Sequence, residues 1–84
     1  MKIECDIDRE NRDVILLLKD NKKILKITKC NQNYFSEQLP TMIKELLNYP
    51  NINIKNIKFS TAFKKDKFST TYRIFKSFVI GISS

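Results

Sequence analysis

The chain opens with a strict alternation of polar and apolar residues. In the segment 2–8, Ile3, Cys5 and Ile7 occupy every second position, and charged residues stand between them. Successive side chains of a β-strand point to opposite faces of the sheet, so this period of two predicts a strand with one buried face. The polar residues 9–12 that follow predict a turn.

Two more strands are predicted by the next apolar segments. Residues 14–18 form an uninterrupted apolar run, which is typical of a strand covered on both faces. Asp20 and Asn21 then predict a tight turn, because both residue types tolerate left-handed backbone conformations. Three apolar residues within 24–27 indicate a third strand that ends near residue 29. Short polar turns between three strands predict an antiparallel meander.

The apolar spacing becomes helical after Asn33. Six apolar side chains cover an arc of about 140° at 100° per residue and predict a helix over about residues 37–48. These side chains are Phe35, Leu39, Met42, Ile43, Leu46 and Leu47. Ser36 or Asn33 is the expected N-cap, and Pro40 is expected in the first turn, where a missing N–H costs least.

The rest of the chain predicts a strand and a second helix. Ile54, Ile57 and Phe59 indicate a strand over about residues 54–60. Over residues 70–82, apolar side chains cover about 160° of a helical circumference, more than the ~100° that docking on one sheet requires. They are Tyr72, Ile74, Phe75, Phe78, Val79 and Ile82. The predicted fold is an α/β domain of order βββαβα, with a mixed sheet that joins the meander to a parallel fourth strand.

The wide apolar arc of the second helix has two interpretations. In one, the whole arc is core. In the other, which we favour, the part near Ile74, Phe78 and Gly81 faces a partner chain, because a small one-sheet domain has little use for so much apolar helix surface. Ser77 and Gly81 are small residues four positions apart, and they would let another helix approach closely.

The composition of the chain excludes several classes of functional site. The 84 residues are expected to form one domain, residues 1–84. The absence of histidine excludes Ser–His and Cys–His catalytic pairs and histidine metal ligands. Cys5 and Cys30 are too far apart for a Cys-x-x-Cys motif. No apolar run is as long as a signal peptide or a membrane span requires. We therefore expect a soluble cytoplasmic domain that is not an enzyme and holds no metal or cofactor.

The net charge of +7 favours contacts with phosphates or acidic partners, although an AT-rich genome would give the same lysine-rich composition. Lys64, Lys65 and Lys67 precede the second helix, so a phosphate or RNA contact at its N-terminus and a solvated loop are both open interpretations. Asp6, Asp8 and Asp13 are candidate acid or metal-binding groups. Asp6 and Asp8 share the polar face of the first strand, and a solvated, charge-balanced face is the interpretation that we favour.

Several short motifs occur in an informative order along the chain. They are Asp6-Ile7-Asp8, Asp13-Val14-Ile15-Leu16, the hairpin 19–25, Ser36-Glu37 with Leu39-Pro40 and Glu45-Leu46-Leu47, Ile54-Lys55-Asn56-Ile57, and Thr70-Thr71-Tyr72-Arg73-Ile74 with Ser77-Phe78 and Gly81. This order and spacing resembles the N-terminal half of the TsaB (YeaZ) family. The members of that family are RNase H-like/actin-like subunits of the machinery that makes threonylcarbamoyladenosine in tRNA.

The resemblance implies a degenerate TsaB-like half domain of RNase H-like fold, with the C-terminal half of the family absent. The implied function is that of a non-catalytic scaffold subunit for the enzyme TsaD in tRNA modification, through a helix–helix interface. The partner-binding residues carried over from the family are Glu37, Thr41, Arg73, Ile74, Ser77 and Phe78. A homodimer through the same helices and a tRNA contact are further implied partners. The family's glycine-rich loop is replaced by residues 65–71, which contain no glycine.

An alternative of a different class is a small basic tRNA-binding module that has no TsaD partner. Phosphate contacts weaken steeply between roughly 50 and 200 mM salt, whereas an apolar helix interface does not. Salt dependence therefore distinguishes the two.

Overall fold

The computed structural model describes residues 1–48, 53–63 and 69–83. Its first three strands are β1 (Lys2–Asp8), β2 (Asp13–Asp20) and β3 (Lys23–Asn31). β1 pairs antiparallel with β2, and β2 pairs antiparallel with β3. Asn21 has a φ of 56° in the turn between β2 and β3, a left-handed conformation that asparagine tolerates better than most residues. The predicted meander is therefore confirmed.

The fourth strand, β4 (Lys58–Thr61), pairs parallel with β1, and the strand order is β3-β2-β1-β4. The predicted mixed sheet with a parallel fourth strand is confirmed. The strand is shorter than predicted because Ile54–Asn56 form a 3₁₀ turn. The side chain of Asn53 accepts a hydrogen bond from the backbone N–H of Lys55 at 3.0 Å and caps this turn.

The first helix, α1 (Phe35–Leu47), begins two residues earlier than predicted. A 3₁₀ turn precedes it, and Asn31 caps that turn by accepting the N–H of Asn33 at 2.9 Å. The N-cap of α1 itself is Tyr34, which makes no side-chain capping bond, so the predicted caps Asn33 and Ser36 were wrong. Because the helix starts early, Pro40 lies within it, beyond its first turn, at an exposed position.

The second helix, α2 (Ser69–Ser83), matches the predicted range 70–82 within one residue at each end. The ring of Phe75 on α2 contacts the ring of Phe59 edge-on, with centroids 6.1 Å apart and an interplanar angle of 64°. Phe59 lies next to Ile3 in the parallel register, and Ile3 and Phe75 belong to the same buried cluster. Both helices therefore pack on the same face of the sheet.

A single apolar cluster fills the space between this sheet face and the helices. Its buried members are Ile3, Cys5, Val14, Leu16, Leu18, Phe35, Leu39, Met42, Ile43, Leu46, Ile57 and Phe75. Glu45 ties the exposed side of α1 to β3, since its carboxylate accepts from Thr28 Oγ1 at 3.3 Å and its carbonyl accepts from Lys26 Nζ at 3.0 Å.

The other face of β2 differs from its prediction. Val14, Leu16 and Leu18 are fully buried, but Ile15 and Leu17 are only half-buried. The prediction that β2 is covered on both faces was therefore wrong. Among the described residues, both helices lie on one side of the sheet, and sheet and helices form two layers.

Candidate protein interface

An open groove runs between α1 and α2 on the side of the helices away from the sheet. It consists of two concavities, of about 570 and 450 Å³, which share Pro40 and Phe78 as a common boundary. The larger one extends towards the C-terminal end of α1 and the turn before β4, where Leu47 and Ile54 contribute apolar surface. The smaller one lies between the N-terminal half of α1 and the middle of α2.

Four of the six residues predicted to bind a partner line the smaller concavity together. They are Arg73, Ile74, Ser77 and Phe78. The other two, Glu37 and Thr41, are exposed on α1 and line neither concavity, although each is next in sequence to a residue that does. The structure therefore gathers the α2 residues into one surface and leaves the two α1 residues beside it.

The apolar arc of α2 is divided by its packing. Phe75, at 2% exposure, is the member of the arc that is fully buried among the described residues, and the remaining five are half-buried: Tyr72, Ile74, Phe78, Val79 and Ile82. At 100° per residue, Ile74 and Phe78 lie on one flank of Phe75, and Ile80 lies on the opposite flank. Ile74 and Phe78, on one flank of the arc, therefore line the groove.

The backbone of α2 is accessible beside these two apolar side chains. Ser77 is exposed, and a Cβ built on Gly81 has no heavy atom within 4 Å. Small residues of this kind let the axis of a second helix approach closely. A helix laid in the groove would contact Ile74 and Phe78 without first displacing a large side chain.

The charge at the edge of the groove is positive. Of the described lining residues, the two charged ones are Lys44 on α1 and Arg73 on α2. The walls between them are predominantly apolar, including Leu39, Ile43 and Leu47. An amphipathic segment with an apolar ridge and acidic flanks has the complementary pattern.

The larger concavity was missed by the sequence reasoning. Its lining includes Lys44, Leu47 and Asn48 from α1 together with Asn53 and Ile54 from the segment before β4. Spacing along one helix identifies the face of that helix, but it does not show which distant segment will lie beside it.

The structure describes some of the other candidate site residues from the sequence and not others. Lys64, Lys65 and Lys67 lie outside the described residues. The carboxylate of Asp8 accepts bonds from the side chain of Asn11 at 3.0 Å and from the N–H groups of Glu10 and Asn11. The bond from the Asn11 side chain is the main cause that holds the pKa of Asp8 below its ordinary value. Asp8 therefore organises the turn between β1 and β2.

The two cysteines have different environments. Cys5 is fully buried, and burial, assisted by the nearby Asp6 and Cys30, raises its pKa to about 12. Cys30 is half-buried, and burial followed by the charge of Asp13 raises its pKa above the ordinary value. Both are free thiols, and the predicted core role of Cys5 is confirmed.

Within residues 1–48, 53–63 and 69–83, no three acidic, cysteine or histidine side chains are grouped as a metal site would need. No helix in the same ranges has the length and hydropathy to cross a bilayer. No protein-family model, no curated protein and no solved structure matches this chain.

Proposed function

We propose that this chain is a non-catalytic binding subunit that receives a helix of its partner in the groove between α1 and α2. The observation that carries the proposal is the pair Ile74 and Phe78, which are half-buried in the free chain and line an open apolar groove. Because each side chain is already half-buried, completing its burial gains part of the about 1.5–3 kcal/mol that full burial is worth, and the other apolar walls of the groove add to the contact.

The partner that we propose is TsaD, the enzyme that transfers the threonylcarbamoyl group to adenosine in tRNA. The identity of the partner rests on the resemblance of the sequence motifs to the TsaB family. The strand order β3-β2-β1-β4, with β1 parallel to β4, is compatible with the RNase H-like half domain that the resemblance implies. Arg73, Ile74, Ser77 and Phe78, which the family uses for pairing, lie together at the groove.

The test is a direct binding experiment with purified proteins. The chain is mixed with the TsaD protein of the same organism at about 300 mM salt, where contacts driven by phosphate-like charge are weakened, and binding is followed by calorimetry. Ser77→Arg places a long side chain at an exposed position where the partner helix would approach closely, and this steric obstruction is expected to weaken binding by at least tenfold. Ile80→Arg, on the opposite flank of α2 and 59% exposed, is the matched control and is expected to bind as the unmodified chain does.

Two results would contradict the proposal. One is the absence of binding to TsaD by the unmodified chain, and the other is equal binding by Ser77→Arg and the unmodified chain. Circular dichroism of both variants establishes that the helices are intact. If the chain instead binds tRNA without TsaD, with an affinity that falls steeply between roughly 50 and 200 mM salt, the tRNA-binding alternative replaces the scaffold function.

A further inference from the structure

The sheet face opposite the helices, here called the outer face, contains an apolar stripe. Ile15 and Leu17 of β2 are half-buried on this face, and Ile24 and Ile27 of β3 are 49% and 55% exposed. The register places Leu17 opposite Ile27, so the two strands present one continuous apolar surface. A contiguous apolar surface of this kind is a candidate interaction site.

Most charged residues on the outer face are separated by sign along the strands, and Lys29 of β3, opposite Ile15 near the acidic end, is an exception. The basic end carries Lys2, Lys19 and Lys58, which lie side by side on β1, β2 and β4. At the opposite end, Asp8 lies directly across from Asp13. The apolar stripe lies between the two ends, beside Glu4 and Asp6 of β1.

This arrangement is complementary to itself. A two-fold axis in the plane of the interface and perpendicular to the strands lays β1 on β1 and β2 on β2, with strand directions reversed. The basic end of each copy then covers the acidic end of the other, so that Lys2 faces Asp8 and Lys19 faces Asp13 of the second copy. Leu17 of each copy faces Ile15 of the other, so that the apolar contact is made by β2. On β3 the same axis places Ile27 against Lys29 and Ile24 against Asn31.

One like-charge contact accompanies this packing, between Glu4 of one copy and Asp6 of the other. Glu4 is already neutralised within its own chain, because its carboxylate lies 3.2 Å from Lys19 Nζ and 3.4 Å from Lys2 Nζ. A carboxylate with two cations beside it repels a second carboxylate weakly. The contact therefore lowers the affinity without reversing the complementarity.

We infer that the outer face is a homodimer interface, and that a second copy of this chain covers it as the second sheet of a β-sandwich. The inference does not depend on the proposed function, since the two surfaces lie on opposite sides of the molecule. Four strands at about 4.8 Å spacing and seven residues at about 3.3 Å rise give a face of roughly 19 by 23 Å. This is small beside the ~800 Å² that each partner buries in a stable complex, so we expect a weak dimer whose population depends on protein concentration.

The test is sedimentation equilibrium of the full chain over about 5–500 µM, compared with two isoleucine-to-lysine variants. Ile27→Lys acts at an exposed outer-face position and enters the dimer twice, where it also approaches Lys29 of the second copy. It is expected to raise the dissociation constant at least tenfold. Ile80→Lys changes the same residue type at 59% exposure on α2 and is expected to leave dimerisation unchanged.

Three outcomes would overturn the inference. The first is a chain that stays monomeric to 500 µM, which would leave the outer face to another protein or to another segment. The second is a dimer that Ile27→Lys leaves intact. The third is a dimer that is lost in Ser77→Arg and kept in Ile27→Lys, which would place the two-fold contact at the helices. The first two outcomes do not bear on the binding of TsaD, which is measured separately, whereas the third would place a second copy on the groove proposed for TsaD.

Discussion

Because only part of the apolar arc of α2 is buried, two phenylalanines of this helix are expected to contribute very differently to the free energy of unfolding. Phe75 is 2% exposed and contacts Phe59 edge-on, whereas Phe78 is half-buried at the groove. If this division is correct, Phe75 anchors α2 to the sheet and Phe78 contributes little to the stability of the free chain. Replacing each in turn by alanine removes the same side chain from the two environments.

The magnitudes follow from burial. Truncation of a fully buried phenylalanine to alanine costs about 3–5 kcal/mol, which includes the cavity that it leaves. The lost edge-to-face contact with Phe59 accounts for about 0.5–1.5 kcal/mol beyond the lost area. At Phe78 a partly exposed ring leaves a smaller cavity that solvent can enter, and about 1–2 kcal/mol is expected for Phe78→Ala. A domain of 84 residues has a free energy of unfolding of about 4–13 kcal/mol, so Phe75→Ala removes a large fraction of it.

The assay is urea unfolding of both variants and the unmodified chain, followed by far-ultraviolet circular dichroism at low micromolar concentration. Phe75→Ala is expected to lower the transition midpoint by at least about 1.5 times as much as Phe78→Ala, with unchanged urea dependence of the free energy. Equal destabilisation by the two variants would refute the reasoning. In that case Phe78 would be a core residue, and the proposed docking groove would lose its main argument.

Two further predictions concern ionisable side chains. Burial opposes ionisation of Glu4, but the hydrogen bond and charge of Lys19, with those of Lys2, outweigh it and hold its pKa below the ordinary value of 4.5. The stabilisation is present above pH 4.5 and is lost as the pH falls through the folded-state pKa. Glu4→Gln is therefore expected to cost about 0.5–1 kcal/mol at neutral pH and nothing in acid, as measured by urea unfolding; a pH-independent cost would assign the effect to packing. With a pKa of about 12, about one Cys5 thiol in ten thousand is ionised at pH 8. Iodoacetamide is expected to label Cys30 before Cys5, and equal rates in the folded chain, measured by mass spectrometry, would contradict the burial of Cys5.

The element order was accessible from the sequence because it depends on local patterns. The period-two segment 2–8 became β1, and the helical spacing after Asn33 became α1. Errors arose where a side chain acts on the backbone of its neighbours. Asn31 and Asn53 each cap a 3₁₀ turn, which moved the start of α1 and shortened β4, and hydrophobic periodicity carries no information about such bonds.

The groove was foreseen on one side only. The spacing in α2 pointed to Ile74 and Phe78, because a surplus of apolar residues on one helix is visible in its sequence. Leu47 and Ile54 contribute to the larger concavity because of the course of the chain between α1 and β4. The spacing of residues within one helix does not determine that course. Glu37 and Thr41 were assigned to the partner interface by resemblance, and neither of them lines the groove.

The sequence by itself determined the types and order of the elements, the buried face of β1 and the basic charge of the chain, since each follows from the identity and spacing of neighbouring residues. The tertiary structure alone decided that both helices cover the same face of the sheet. That choice buried Val14, Leu16 and Leu18 and left Ile15 and Leu17 half-exposed within one uninterrupted apolar run. The physical reason is that an uninterrupted apolar run favours burial of both strand faces equally. Which face is buried depends on where distant segments of the chain pack.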